Sequence, residues 1–71
     1  MISYKKLFVT LAERGITKTE LRESVGFSTA SLARMTRSEY IKMETIDKIC
    51  EYLDCRIEDV IEYIPNKELD L

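Results

Sequence analysis

Arg34 and Arg37, with Thr29, Ala30 and Ser31 shortly before them, are the residues of this chain whose types and spacing suit noncovalent recognition. At about 100° per residue, Ala30, Arg34 and Arg37 share one side of a helix, and Thr29 and Ser31 flank it near its start. A guanidinium carries five donors in a planar fork, while a hydroxyl both donates and accepts. No acidic residue falls on this face before Glu39. A face so small, polar and positive fits a groove about 12 Å wide and can set donors against base edges and phosphates. Leu32 and Met35, three apart, give the same helix its apolar side.

Covalent chemistry has no comparable set. The chain has no histidine and no tryptophan, so the commonest general base and metal ligand is missing. Glu44, Asp47, Glu51, Glu58, Asp59 and Glu62 fall at polar helix positions and read as a solvated face. Cys50 and Cys55 lie five apart around the end of an expected helix. They read as a buried thiol and a helix-end residue, both reduced in the cytosol. A metal site would need two more ligands, and a zinc shared across a dimer is the disfavoured alternative. There is no glycine-rich phosphate loop, and short helices around one small core leave little room for an enzyme-sized pocket. Neither an enzyme nor a cofactor is expected.

Two short helices joined by a tight turn must position the recognition face. Thr17 is a natural N-cap, and Glu20 three residues later completes a capping box. Ile16 and Leu21 are placed for a hydrophobic staple, and Leu21 and Val25 share one face. Gly26 then permits a left-handed stop. Ser28 caps the next helix, and Phe27 with Leu32 repeats the staple. A turn glycine between two capped helices also occurs in small helical bundles, where a basic helix is simply a surface.

The stretch Ile16 to Arg37 resembles the helix-turn-helix of the lambda-repressor-like, Cro/cI-type (XRE) regulators. The resemblance rests on Leu21, Val25, Gly26, Phe27 and Leu32, and it extends over almost the whole chain. The segment METIDKICEYLDC and the following RIEDVIEYI are similar to the fourth and fifth helices of that family. Two positions depart from the pattern: Arg22 stands where a small residue is usual, and Lys42 where the fourth helix usually has a Ser/Thr cap.

The resemblance implies an all-α domain of five short helices, with the helix-turn-helix as helices 2 and 3. It also implies sequence-specific binding to double-stranded DNA by a transcriptional regulator, here expected to be a repressor. The helix 28–36 would lie in the major groove, with Ser28, Thr29, Ala30, Ser31 and Arg34 nearest the bases. Thr17, Lys18 and Thr19 would offer N–H groups and an ammonium to a phosphate. Arg37, Ser38, Tyr40 and Lys42 would form a phosphate-contacting loop, although a polar surface loop accounts equally well for any one of them. The rival reading keeps the fold as a protein-interaction module, antitoxin-like or adaptor, without specific DNA binding.

Elsewhere the patterns are simpler. Residues 1–15 read as a first helix with Ser3 as a cap, an inward stripe of Tyr4, Leu7, Phe8 and Leu11, and Gly15 as its stop. Ile46, Ile49, Cys50 and Leu53 make the stripe of a helix over 43–53. Ile57, Val60, Ile61 and Ile64 make that of a last helix, ended by Pro65. Ile41 reads as an inward anchor in the loop. Leu7, Leu11, Leu21, Val25, Leu32, Ile46, Ile49 and Leu53 are expected to be buried together, with no strand.

Seventy-one residues make one domain, 1–65, followed by a short acidic tail, 66–71, expected to fray. A chain of this length buries only about 60% of its unfolded surface. No apolar run approaches a membrane span and no secretory signal opens the chain, so the expected location is cytoplasmic. The net charge of −2 is unevenly spread. Residues 1–42 hold eight basic side chains against four acidic, a net +4, and residues 43–71 three against nine, a net −6. The basic half contains the motif, and the local field governs association. The last helix and tail, 57–71, hold Val60, Tyr63, Ile64 and Leu69 and are the expected surface of a weak homodimer.

Overall fold

The computed structural model describes residues 1–65. In chain order the elements are β1 (Ile2–Ser3), α1 (Lys5–Arg14), α2 (Lys18–Val25), α3 (Thr29–Thr36), α4 (Met43–Leu53), a 3-10 turn (Ile57–Asp59) and β2 (Glu62–Tyr63). There are thus four α-helices among the described residues, not five. The tail 66–71 and its expected fraying lie outside the described residues.

Both corrections concern the ends of the chain. Residues 1–15 do not form one helix: α1 starts at Lys5, and Tyr4 is its N-cap, without a side-chain bond. Ser3 instead accepts from the Lys5 N–H at 3.2 Å. The last helix is replaced by the 3-10 turn and β2, which pairs antiparallel with β1 in the register Ile2↔Tyr63 and Ser3↔Glu62. The spacing of Ile57, Val60, Ile61 and Ile64 fits a helix, but β-branched side chains are stiff and favour extended backbone. A short apolar run of this kind does not distinguish the two by periodicity. Val60 is fully buried, whereas Ile57 is exposed rather than part of an inward stripe.

Tyr4, Leu7, Leu11, Leu21, Phe27, Met35, Ile46, Ile49, Leu53 and Val60 form the core. Val25 and Leu32 are only half-buried at its edge, because α3 is turned so that Met35 takes the inward position. Ile41 packs against the core as expected.

The helix ends fix the geometry. Gly15, at φ 70°, closes α1 with Ile16 N–H on the Leu11 carbonyl and its own N–H on Ala12. Similar closures recur after α3 and α4, with Ser38 (φ 58°) and Asp54 (φ 51°) in the left-handed position. Arg14 donates to the Leu53 carbonyl and ties α1 to the end of α4. Lys6 and Glu62 form an exposed ion pair at 3.6 Å between α1 and β2. No helix among the described residues is long and apolar enough to cross a membrane.

Candidate nucleic-acid interface

Gly26 makes the turn between α2 and α3. At φ 90° its N–H bonds to the Arg22 carbonyl at 2.8 Å, and Phe27 N–H reaches the same oxygen at 3.2 Å. Phe27 is thereby drawn into the core, and the chain is released at Ser28 with extended backbone, ready to start α3. Ser28 Oγ accepts from the Ser31 N–H at 3.1 Å and donates to Ser31 Oγ at 3.2 Å. The hydroxyl expected to face bases is therefore engaged as a helix cap.

Thr29, Ala30 and Arg34 are exposed on α3, and Ser31 is half-buried. Among the described residues Arg34 makes no ion pair. Met35 points inward, which turns Arg34 outward.

The start of α2 is built differently from the sequence expectation. Thr17 Oγ1 accepts from the Glu20 N–H at 3.0 Å, which is one half of a capping box; Glu20 makes no return bond among the described residues. Lys18 Nζ sits 4.2 Å from the centroid of the Phe8 ring, an attraction of ammonium to the ring face. Thr19 is exposed beside it. Arg22 is half-buried, which accommodates the departure noted above.

The loop from Arg37 to Lys42 is divided. The Arg37 guanidinium is held by Glu39, with Nε to Oε2 at 3.0 Å and Nη2 to Oε1 at 3.3 Å. That bond and the paired charge raise the Arg37 pKa. The same hydrogen bond holds the Glu39 carboxyl below its ordinary value; slight desolvation opposes this, and the charges of Arg37 and Arg34 reinforce it. Tyr4 Oη donates to the Glu39 carbonyl at 2.7 Å and pins the loop to α1. Burial raises the pKa of that phenol, and a hydrogen bond with the Ile41 backbone works in the other direction. Ser38 and Tyr40 line a depression with Met1, Ile2 and Glu39 that includes no α3 residue. Tyr40 is 80% exposed.

Lys42 does turn toward α3. It is the N-cap of α4 and gives no side-chain bond, so the first N–H groups of that helix have no cap from it. Between the turn and the start of α4 lies a cleft of about 260 Å³ whose wall includes Gly26, Ser28, Ser31, Arg34, Lys42 and Lys48. Lys48, paired with Glu44 at 3.4 Å, was missed in the sequence, where α4 read as a source of core residues with a solvated acidic face. Its position six residues after Lys42, on the polar side of an amphipathic helix, was the available signal. The cleft thus gathers Ser28, Ser31, Arg34 and Lys42 and adds Lys48. Thr17, Lys18, Thr19, Arg37, Ser38 and Tyr40 are not among its lining residues. Three cations, one of them paired with the Glu44 carboxylate that also lines the opening, and helix N–H groups leave a net positive cleft that suits a phosphate-bearing polymer. No group of three His, Cys, Asp or Glu among the described residues is placed to hold a metal.

Known proteins resemble this chain over most of its length. The Cro/C1-type HTH DNA-binding domain matches residues 6–66. An uncharacterized HTH-type transcriptional regulator of Bacillus subtilis (strain 168), YozG, is 37% identical over 57 residues, which covers 78% of this chain and 68% of that protein. The crystal structure of the transcriptional regulator VanUg superposes with a TM-score of 0.87 at 41% identity, covering 90% of this chain and 85% of the other.

Proposed function

From the premise that this chain belongs to the Cro/C1-type helix-turn-helix DNA-binding family, we propose that it reads double-stranded DNA with α3 in the major groove. The family is one of DNA-binding transcription regulators rather than enzymes. The observation that carries the finer reading is the exposed Arg34, which makes no ion pair among the described residues and lines the net positive cleft. A guanidinium free of partners can pair bidentately with guanine O6 and N7, while Lys42 and Lys48 meet the backbone. Thr29 and Ala30 lie against base edges, and Thr17, Lys18 and Thr19 approach the neighbouring phosphates. Residues 1–65 act as the DNA-binding unit. Regulation is by repression, which occupancy of a site alone produces.

The adaptor reading loses ground because the relatives are named as transcriptional regulators. Titration of random duplex at two salt concentrations tests DNA binding: affinity should fall steeply as salt rises. An affinity that is low and insensitive to salt overturns the proposal. Selection from a random duplex library then gives the site.

A single recognition helix reads few base pairs, so we also propose a weak homodimer on half-sites about 34 Å apart. The surface expected for it changes. With Val60 buried and the last helix absent, Tyr63, 65% exposed, and Ile57, 43% exposed, are the apolar side chains left on the described part of 57–71. Sedimentation equilibrium with Tyr63→Glu should show weakened association. A chain that stays monomeric both free and on a palindromic site removes the dimer.

A further inference from the structure

Cys50 and Cys55 take no part in the DNA-facing surface, yet the end of α4 brings them together. Asp54 stops the helix in the left-handed region, its N–H bonds to the Glu51 carbonyl at 3.3 Å, and the Cys55 N–H bonds to the Cys50 carbonyl at 3.1 Å. In a helix stop of this type the outer hydrogen bond joins the two residues whose side chains meet across the end. Here both are cysteines. Their side chains are neighbours there, and Cys50 is one of the groups that raise the Cys55 thiol. Both thiols are free and half-buried. A carbonyl-to-amide bond between the two residues also keeps their Cα atoms near the roughly 4.4–6.8 Å that a disulfide requires.

The surroundings admit a small reagent. Cys55 borders a cleft of about 390 Å³ lined with Thr10, Glu13, Arg14 and Asp59. Burial raises the Cys55 thiol above its ordinary value; Cys50 and Asp59 add to this, and the Arg14 guanidinium works against it. Cys55 is therefore mostly a thiol at neutral pH and reacts slowly there.

We propose that Cys50 and Cys55 form a dithiol site that a hydroperoxide closes to an intramolecular disulfide. Cys55, facing the cleft, loses its proton and attacks one peroxide oxygen. The O–O bond breaks, water leaves after taking up a proton, and the sulfur becomes a sulfenic acid. The Cys50 sulfur then attacks that sulfur, the S–S bond forms, the S–O bond breaks, and hydroxide leaves to be protonated to a second water. Two thiols thus lose two protons and two electrons, and hydrogen peroxide is reduced to two waters (an organic hydroperoxide to an alcohol and one water). Two equivalents of a small thiol reverse the step by exchange. The bridge fastens the end of α4 to the segment leading into β2.

The test uses the full chain, treated with hydrogen peroxide at mildly alkaline pH and then with iodoacetamide. The expected product is a monomer on a non-reducing gel, lighter by two hydrogens, with neither cysteine alkylated, and restored by dithiothreitol. Cys50→Ser and Cys55→Ser, checked for helical content by circular dichroism, should each lose this protection and leave the remaining sulfur oxygenated or alkylated. A wild-type chain that is alkylated on both cysteines after peroxide overturns the proposal. So does one that accumulates sulfinic acid or chain-to-chain disulfide instead of the internal bridge.

Discussion

Arg37 and Glu39 are clamped to each other by two hydrogen bonds, Nε to Oε2 at 3.0 Å and Nη2 to Oε1 at 3.3 Å. The left-handed backbone at Ser38 folds the chain back so that residues two apart can meet in this way. An arginine expected to be a free cation near DNA is consequently neutralised by its own loop.

Glu39→Gln should release that charge. Random duplex should then bind more tightly, and the salt dependence should steepen by roughly one unit of slope. Arg37→Ala should change both far less than Lys42→Ala does. Fluorescence anisotropy at several salt concentrations gives all three slopes.

The same clamp has a pH signature. Glu39 has a folded pKa below its unfolded value, so the bridge is intact above the ordinary glutamate range and is lost as pH falls through the depressed folded value. A carbon-detected NMR titration should find the Glu39 carboxyl titrating below the ordinary glutamate value, and Arg37→Ala should return it toward that value. Both side chains are solvent-exposed, so the effect on unfolding should be slight.

Arg34→Ala should weaken a selected site by roughly 1–3 kcal/mol and relax one base position. Lys42→Ala should weaken all sequences alike and flatten the salt dependence, and Lys48→Ala, whose charge is shared with Glu44, should do the same to a smaller extent. Lys18→Ala should in addition lower stability by about 0.5–1 kcal/mol through loss of the Phe8 contact. Unchanged site selection by Arg34→Ala would demote it to a phosphate contact.

Much of this was legible because the signals are local. Thr17, Gly26 and Ser28 punctuate the helix-turn-helix within a few residues of the backbone groups they satisfy, and the stripes of α1 and α4 follow a single period. Ser38 and Asp54 carry no comparable mark, since neither is a glycine, so the return of Glu39 onto Arg37 could not be read. The paired strands were hidden for another reason. Ile2 and Tyr63 are partners across nearly the whole chain, and no window of sequence contains both. The cleft is of the same kind, because Lys48 joins Arg34 only through packing of α4 on α2.

Leu21 is fully buried and Leu32 only half-buried, so their truncations should separate. Leu21→Ala should cost about 2–5 kcal/mol, a large part of the stability of so small a domain. Leu32→Ala should cost distinctly less, because the site can relax toward solvent. Urea denaturation followed by circular dichroism gives both values.

Asp54→Gly should stabilise the chain. Relief of the left-handed strain exceeds the added freedom of the unfolded glycine, for a net gain of about 0.5–1 kcal/mol. Gly26→Ala should lose about 1–2 kcal/mol at φ 90°. Among the described residues no atom beyond its two chain neighbours lies within 4 Å of the Cβ it would add, so the loss is one of backbone conformation rather than crowding. Thermal melts of both variants, shifted in opposite directions, check the pair.

The pairing of β1 with β2 sets an order of events. The turns and stops of the four helices form between near neighbours in sequence, whereas Ile2 and Tyr63 must close a loop of most of the chain for two residue pairs. The entropy of that closure is offset only after the helices have brought the ends together. The strands should therefore be the last element to form and the first to open. In native-state hydrogen exchange their amides should exchange through a local opening while those of Leu21 and Ile49 wait for global unfolding. In refolding kinetics, substitutions at Ile2 or Tyr63 should change the unfolding rate and leave the folding rate nearly untouched.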